Sequence, residues 1–316
     1  MADSDSHPAY LSPSELGTKD YWENYYARTL AHISHEKPSA EAPAEAEASD
    51  SDLNDEDDPG TSWFSEHNAP QKVLKFLTQK SFPCAPRNTA SASVLDLGTG
   101  NGSMLALLQK RGGFRGRLVG VDYSRQSVEL ARELQRGRGH SAYRSDSEDE
   151  DEDEDEEDGA EPAVPESKAE ADSEVAPIQF EEWDILGSEA PLSETGLASS
   201  PAHALPWFPY DDGGFDVVLD KGTFDAVSLA GDAKNARVCE RYPDIARRLV
   251  KRGGFLVVTT CNWTEEELVR WFTGDRGSGD RLVVWGRVEY PVFRFGGIRD
   301  RACVRFVSRG SGMNKV

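Results

Sequence analysis

An α/β fold on a mostly parallel sheet, with helices on both faces and a closing β pair, is what the sequence predicts. Three observations predict it. The apolar run Val94–Leu97 leads into three glycines at alternate positions, Gly98, Gly100 and Gly102, and then into a helical stretch from Ser103. Strand, glycine turn and helix in that order make a nucleotide-type site at the carboxyl edge of an open sheet. Short buried strands then alternate with amphipathic helices along the chain, which argues for parallel pairing.

Taken in order, residues 1–13 read as a disordered terminus. An aromatic-rich amphipathic stretch from Ser14 through Trp22 and Tyr26 predicts a helix to about His32. Residues 35–60 are Ala, Glu, Asp, Ser and Pro, too polar to bury a core. Trp63 and Phe64 end that insertion, and Pro70–Gln79 predicts a helix before the first strand. Arg117–Asp122 is a second strand ending in an acid, and Ser124 caps a helix to about Gln135. Residues 136–176 form a second acidic, low-complexity insertion. Its Ser145 and Ser147 suit an acid-directed kinase, although a plain solvated segment fits as well. Ile178–Leu186 reads as a third strand with Asp184 near its end, and Gly214–Asp220 as a fourth of fully buried type. A helix over about Ala236–Leu249, a strand Phe255–Thr260 and a helix capped by Thr264 follow. Two β segments, about Leu282–Pro291 and Ala302–Ser308, close the chain. The domain plan is one unit over 14–316 interrupted by the two acidic insertions.

Composition narrows the function. The 316 residues carry a net charge of −22, and the twelve acids of 146–158 account for enough of it to leave about −10 elsewhere. With no basic stripe, nucleic-acid binding is not expected. Cys84, Cys239, Cys261 and Cys303 form no Cys-x-x-Cys pair, so neither a disulfide framework nor a metal site is expected. The acidic start is unlike a targeting peptide, and no apolar run approaches the roughly 20 residues that span a bilayer. These features predict a soluble protein of the cytoplasm, with the nucleus open as a second compartment.

Three acids fall at or near strand ends: Asp96, Asp122 and Asp184. Each alone reads equally as a cap or a loop acid. Beside the glycine turn they form a constellation. Asp122 lies about twenty residues past the glycines, where a carboxylate accepts from ribose hydroxyls. Tyr123 is placed to lie against an adenine face, and Asp184 to accept from its amino group. The glycines, on this view, let backbone N–H groups approach the ligand where a Cβ would collide. A pyrophosphate calls for Gly-x-Gly-x-x-Gly, whereas here Gly98-x-Gly100-x-Gly102 follows Asp96. Asp96 repels a pyrophosphate and suits an ammonium. Adenosine joined to an amino acid is S-adenosyl-L-methionine. An NAD-type dinucleotide is the rival.

At these residues the chain resembles the seven-strand S-adenosylmethionine-dependent methyltransferases, a Rossmann-like family. Within it, it is most similar to the lysine methyltransferases that modify translation elongation factor 1-alpha, including the fungal elongation-factor branch. The resemblance is carried by Leu16–Trp22, Trp63–Phe64, Val94–Gly102 and Trp183–Leu186. Its most specific segments are Val217–Ala226 and Phe293–Gly297. The two acidic insertions depart from the family core. The resemblance implies a protein-lysine N-methyltransferase acting on elongation factor 1-alpha; a monomer is a separate expectation. It implies cofactor contacts from Asp96, Gly98, Thr99, Gly100, Gly102, Asp122, Tyr123, Asp184, Ile185, Trp22 and Trp63. It also implies that the loop after the fourth strand lines the transfer site. There Asp220 is the candidate for orienting the amine or taking its proton, and Thr223 and Phe224 for shaping the channel. Leu219-Asp220-Lys221-Gly222-Thr223 departs from the Asn/Asp-Pro-Pro-Tyr/Phe expected for planar base or glutamine nitrogens, so a nucleobase target is disfavoured. Trp22, Tyr25 and Trp63 either close over the cofactor or substrate channel or pack the N-terminal helix onto the sheet. A small-molecule methyltransferase and a non-catalytic acidic scaffold of the same fold are the alternatives.

Overall fold

A computed structural model describes residues 8–36, 68–137, 140–143, 176–187, 204–231, 238–274, 281–287 and, for the backbone, 302–309. Trp63–Phe64, Phe293–Gly297, Ser145, Ser147 and the acidic run lie outside these residues.

Strands β1 (Val94–Leu97), β2 (Leu118–Asp122), β3 (Gln179–Glu182), β4 (Phe215–Lys221) and β5 (Val250–Thr260) are parallel. β6 (Arg281–Arg287) and β7 (Ala302–Arg309) close the sheet antiparallel. The strand order is β3-β2-β1-β4-β5-β7-β6. From β1 the chain winds outward to β3 and then returns to β4 on the other side. The β1/β4 boundary is therefore the switch point, where the loops diverge and leave a crevice.

Alternate side chains enter opposite layers, as the period of two in a strand requires. Val94, Val217, Leu219, Phe255 and Val257 join one apolar layer with helices α2 (Ala69–Leu77), α3 (Ser103–Lys110) and α4 (Arg125–Gly137). Leu95, Leu97, Val218, Leu256 and Val258 join the other, with α5 (Thr223–Ser228), α6 (Tyr242–Leu249) and α7 (Glu265–Thr273). The sheet is thus buried on both faces, which is why its strands read as continuous apolar runs. Truncating a fully buried member such as Leu95 to alanine costs about 2–5 kcal/mol.

Several expected boundaries shift for identifiable reasons. The N-terminal helix α1 (Lys19–Glu36) starts after a 3-10 turn, Glu15–Gly17, and its backbone runs two residues into the expected first insertion. A Cβ on Gly17 would stand 2.2 Å from the Leu229 carbonyl carbon, so the turn docks there only because residue 17 is glycine. β3 is four residues long and ends before Asp184. α6 begins at Tyr242 rather than Ala236, because Pro243 lacks a donor and belongs in a first turn. The second insertion begins later than residue 136. Arg136 and Gly137 finish α4, and Ser141–Tyr143 forms a 3-10 turn whose Tyr143 hydroxyl donates to the Asn101 carbonyl at 3.0 Å. The Thr264 cap is a full capping box with Glu267.

Candidate active site

The glycine turn has the geometry its composition demands. Gly98, Gly100 and Gly102 have φ of +61°, +58° and +76°, a region that side chains with a Cβ rarely adopt. A Cβ at each of the three positions would meet protein. A Cβ would lie 2.2 Å from Thr223 Oγ1 at Gly98, 2.9 Å from the Tyr26 hydroxyl at Gly100, and 2.4 Å from the Tyr143 hydroxyl at Gly102. The glycines therefore have a role in the fold itself. They let the turn fold, and let three other elements press against it. Thr99 N donates to the Val121 carbonyl at 3.0 Å, fixing the turn over β2.

Asp122 is buried at the end of β2 and accepts from Gly100 N at 3.1 Å and Ser124 N at 2.9 Å. One carboxylate thus ties the turn to the start of α4. Burial raises its pKa above the usual carboxylate range, against the hydrogen bonds that lower it. Tyr123 donates its hydroxyl to the Thr18 carbonyl at 3.1 Å, which holds its ring beside the crevice. Asp184 accepts from Leu186 N at 2.9 Å, in a turn that also presents Ile185.

These groups line one cavity of about 350 Å³ at the carboxyl ends of β1, β2 and β4, within the size range of small-ligand sites. Its wall includes the turn residues 98–101, Asp122, Tyr123, Asp184 and Ile185. Helix α1 supplies the opposite side through Trp22, Tyr25 and Tyr26. Trp22 and Tyr25 combine core packing with a place on the cavity wall. Trp22 stacks on Tyr26 with centroids 6.0 Å apart and packs on the core, while Trp22 and Tyr25 also face the cavity. Sequence reasoning missed what fastens α1. Glu23 accepts from Arg125 N at 3.1 Å, Gln126 N at 3.3 Å and the Ser124 hydroxyl at 3.2 Å, capping α4 from another helix. Trp63 lies outside the described residues.

Asp96 and Gly102 are not on the cavity wall. Gly102 begins α3. Asp96 is 2% exposed, accepts from the Thr99 hydroxyl at 2.9 Å and sits behind the turn. Burial moves its carboxyl up to about 6, with Lys221 pulling the other way. In this position Asp96 supports the turn from within the protein.

The end of β4 brings the largest correction. Asp220 is 1% exposed and absent from the cavity wall. Oδ1 accepts from Thr223 N at 2.9 Å and Phe224 N at 3.2 Å, and Oδ2 from the Tyr242 hydroxyl at 2.8 Å. It caps α5 from beneath, and burial pushes it up to about 7. Phe224 is fully buried against Tyr242, Trp263 and Phe272, a core residue and not a channel residue. Thr223 does line the cavity, its hydroxyl donating to the Leu97 carbonyl at 2.6 Å. Lys221, which sequence reasoning passed over, also lines it. The available signal was a lysine directly after the acid that ends a buried strand. Asp225 holds the turn after β5, accepting from Cys261 N at 3.0 Å and Asn262 N at 3.1 Å.

A glycine turn at the switch point and two edge acids beside a cavity define an adenosine-type site, and residues 88–156 match the family model described as a methyltransferase domain. The donor set fits S-adenosylmethionine, the methyl donor of this class: carboxylates at the β2 and β3 ends for the adenosine, and a turn without a phosphate-binding lysine. The chain is 32% identical over 293 residues to the protein-lysine N-methyltransferase EFM4 of Saccharomyces cerevisiae, covering 92% of this chain and 93% of that protein. It is 28% identical to efm4 of Schizosaccharomyces pombe, over 91% of this chain and 90% of the relative. It is 26% identical to EEF1A lysine methyltransferase 2 of Danio rerio, over 94% and 88%. The chain belongs to the EFM4 family of protein-lysine N-methyltransferases.

Proposed function

We propose that this protein transfers a methyl group from S-adenosylmethionine to a lysine ε-amine of translation elongation factor 1-alpha. The observation that carries the proposal is the cavity at the β1/β4 switch point, edged by Asp122 and Asp184 and roofed by an aromatic helix. The names of its two yeast relatives supply the lysine, and the name of the fish relative supplies the substrate protein.

When bound, the donor supplies a methyl group on a sulfonium, already a good leaving group. The protein's own part is alignment and dehydration. A lysine of pKa near 10.4 is neutral in only about one molecule in a few thousand near pH 7, equivalent to roughly 4–5 kcal/mol. Removing water around the amine lowers that cost, since burial disfavours the charged form. Trp22 and Tyr25 supply apolar surface at the cavity for this. Thr223 fixes the β4 loop against the glycine turn, so that donor and acceptor meet in one geometry. Asp220 acts on that loop from behind, as a positioning residue and not as the base. Asp122, Tyr123, Asp184 and Ile185 hold the adenosine.

In this account the chain works as a monomer in the cytoplasm, and its acidic balance supports the absence of a nucleic-acid partner. Mass spectrometry of elongation factor 1-alpha from cells with and without the gene tests the substrate. A methylated lysine that becomes unmodified on deletion is expected. An identical methylation pattern in both strains overturns the assignment.

A further inference from the structure

The cavity has two chemically different ends. At the β2–β3 end stand Asp122, Tyr123 and Asp184, the adenosine groups. At the β1–β4 end stand Gly98, Thr99, Lys221 and Thr223. Leu97 pairs with Asp220 across β1 and β4, so Lys221 lies one residue beyond, level with the first glycine. The Thr223 hydroxyl on the Leu97 carbonyl locks that placement.

Two carboxyls are buried behind this end of the wall, Asp96 and Asp220, and Lys221 interacts electrostatically with both. Among the described residues the wall carries two basic side chains. Lys19 stands at the other end, with its ammonium 5.9 Å from the Tyr123 ring centroid and 3.7 Å from Glu182. The amino-acid part of the donor carries a carboxylate as well as an ammonium. A carboxylate arriving next to two buried acids is repelled unless a cation stands between them. Lys221 is the cation at that position.

We propose that Lys221 binds the carboxylate of the donor's methionine moiety and so selects the intact amino-acid end of the ligand. This rests on S-adenosylmethionine being the donor. The adenosine groups then set one end of the ligand and Lys221 the other, which fixes the methyl between them. Burial lowers the Lys221 pKa, and Asp96 and Asp220 oppose that shift.

Titration calorimetry with three ligands tests the proposal on the full chain. S-adenosylmethionine carries the carboxylate, decarboxylated S-adenosylmethionine lacks it, and methylthioadenosine lacks the whole amino-acid end. The wild-type protein is expected to bind the first roughly 10- to 100-fold more tightly than the second, the range of a charge-assisted hydrogen bond. Lys221→Met is expected to bind both alike, with affinity for methylthioadenosine unchanged, and Lys221→Arg to restore part of the preference. A preference undiminished in Lys221→Met overturns the assignment and leaves the carboxylate to the α3 N-terminus. Equal wild-type affinity for the two sulfonium ligands also overturns it, whether or not the variants fold. Wild-type protein that binds none of the three refutes the donor itself, a separate result.

Discussion

The Thr223 hydroxyl donates to the Leu97 carbonyl at 2.6 Å across 126 residues of sequence. That bond joins the two strands at the switch point, just where the glycine turn and the β4 loop meet. Gly98 is the complement of this contact, since a Cβ there would collide with Thr223 Oγ1. Thr223→Val removes the side-chain donor, while the parallel pairing with β4 keeps the carbonyl's backbone partner, at a cost of about 0.5–1.5 kcal/mol. Thr223→Ser keeps the bond. Urea unfolding of both variants is expected to separate them by that amount, and donor affinity to fall only in the valine variant.

Gly102 and Gly113 share positive φ, +76° and +73°, but not surroundings. A Cβ at Gly102 would lie 2.5 Å from Phe180 Cζ, whereas nothing stands within 4 Å at Gly113. Gly113→Ala is expected to cost about 1–2 kcal/mol of backbone strain alone. Gly102→Ala adds the overpacking cost, about 1–3 kcal/mol more. Thermal melts of the two variants check the ranking, and equal midpoints contradict it.

Glu23 is the fastening of the roof. Its carboxylate caps α4 from α1, so Glu23→Ala is expected to cost about 1 kcal/mol, the size of a lost N-cap. Because α1 covers the cavity, the larger effect is expected in kinetics. Stopped-flow measurement of donor dissociation is expected to show a several-fold faster rate, by analogy with release limited by a lid. An unchanged rate contradicts a covering role for α1.

Stability carries a pH signature from Asp220. Its carboxyl titrates at about 7 in the folded chain against an ordinary 3.8, so between these values the folded state binds the proton more tightly. Its contribution to stability is greatest below about pH 4, declines as pH rises to about 7, and then levels. Asp96, moved up to about 6, adds in the same direction. The difference in unfolding free energy between wild type and Asp220→Asn is expected to fall across that window. A constant difference contradicts the assignment.

Much of this site was readable from the sequence because its signals are local. The glycine turn, Asp122 and Asp184 each follow a buried run at the sheet edge, and the structure brings them to one cavity. The β4 end was misread because proximity in sequence was taken for orientation. Parity along the strand separates the two neighbours. Val218 faces the layer containing Tyr242, and Asp220, two residues on, meets the Tyr242 hydroxyl. Leu219 faces the other layer, and Lys221 follows it to the cavity side. The roof was illegible for a different reason. Glu23 meets Ser124–Gln126 about a hundred positions away, and Gly17 meets Leu229–Ala230 across twice that distance. No local pattern encodes such contacts.

Reconstitution tests the central claim most directly. Purified protein is incubated with S-adenosylmethionine and unmethylated elongation factor 1-alpha, and tryptic peptides are read by mass spectrometry. The account predicts a methylated lysine in the substrate, matched by equimolar S-adenosylhomocysteine for each methyl transferred, and its loss in Thr223→Val. Donor binding without any methylated lysine, or methyl transfer only to small molecules, would contradict it.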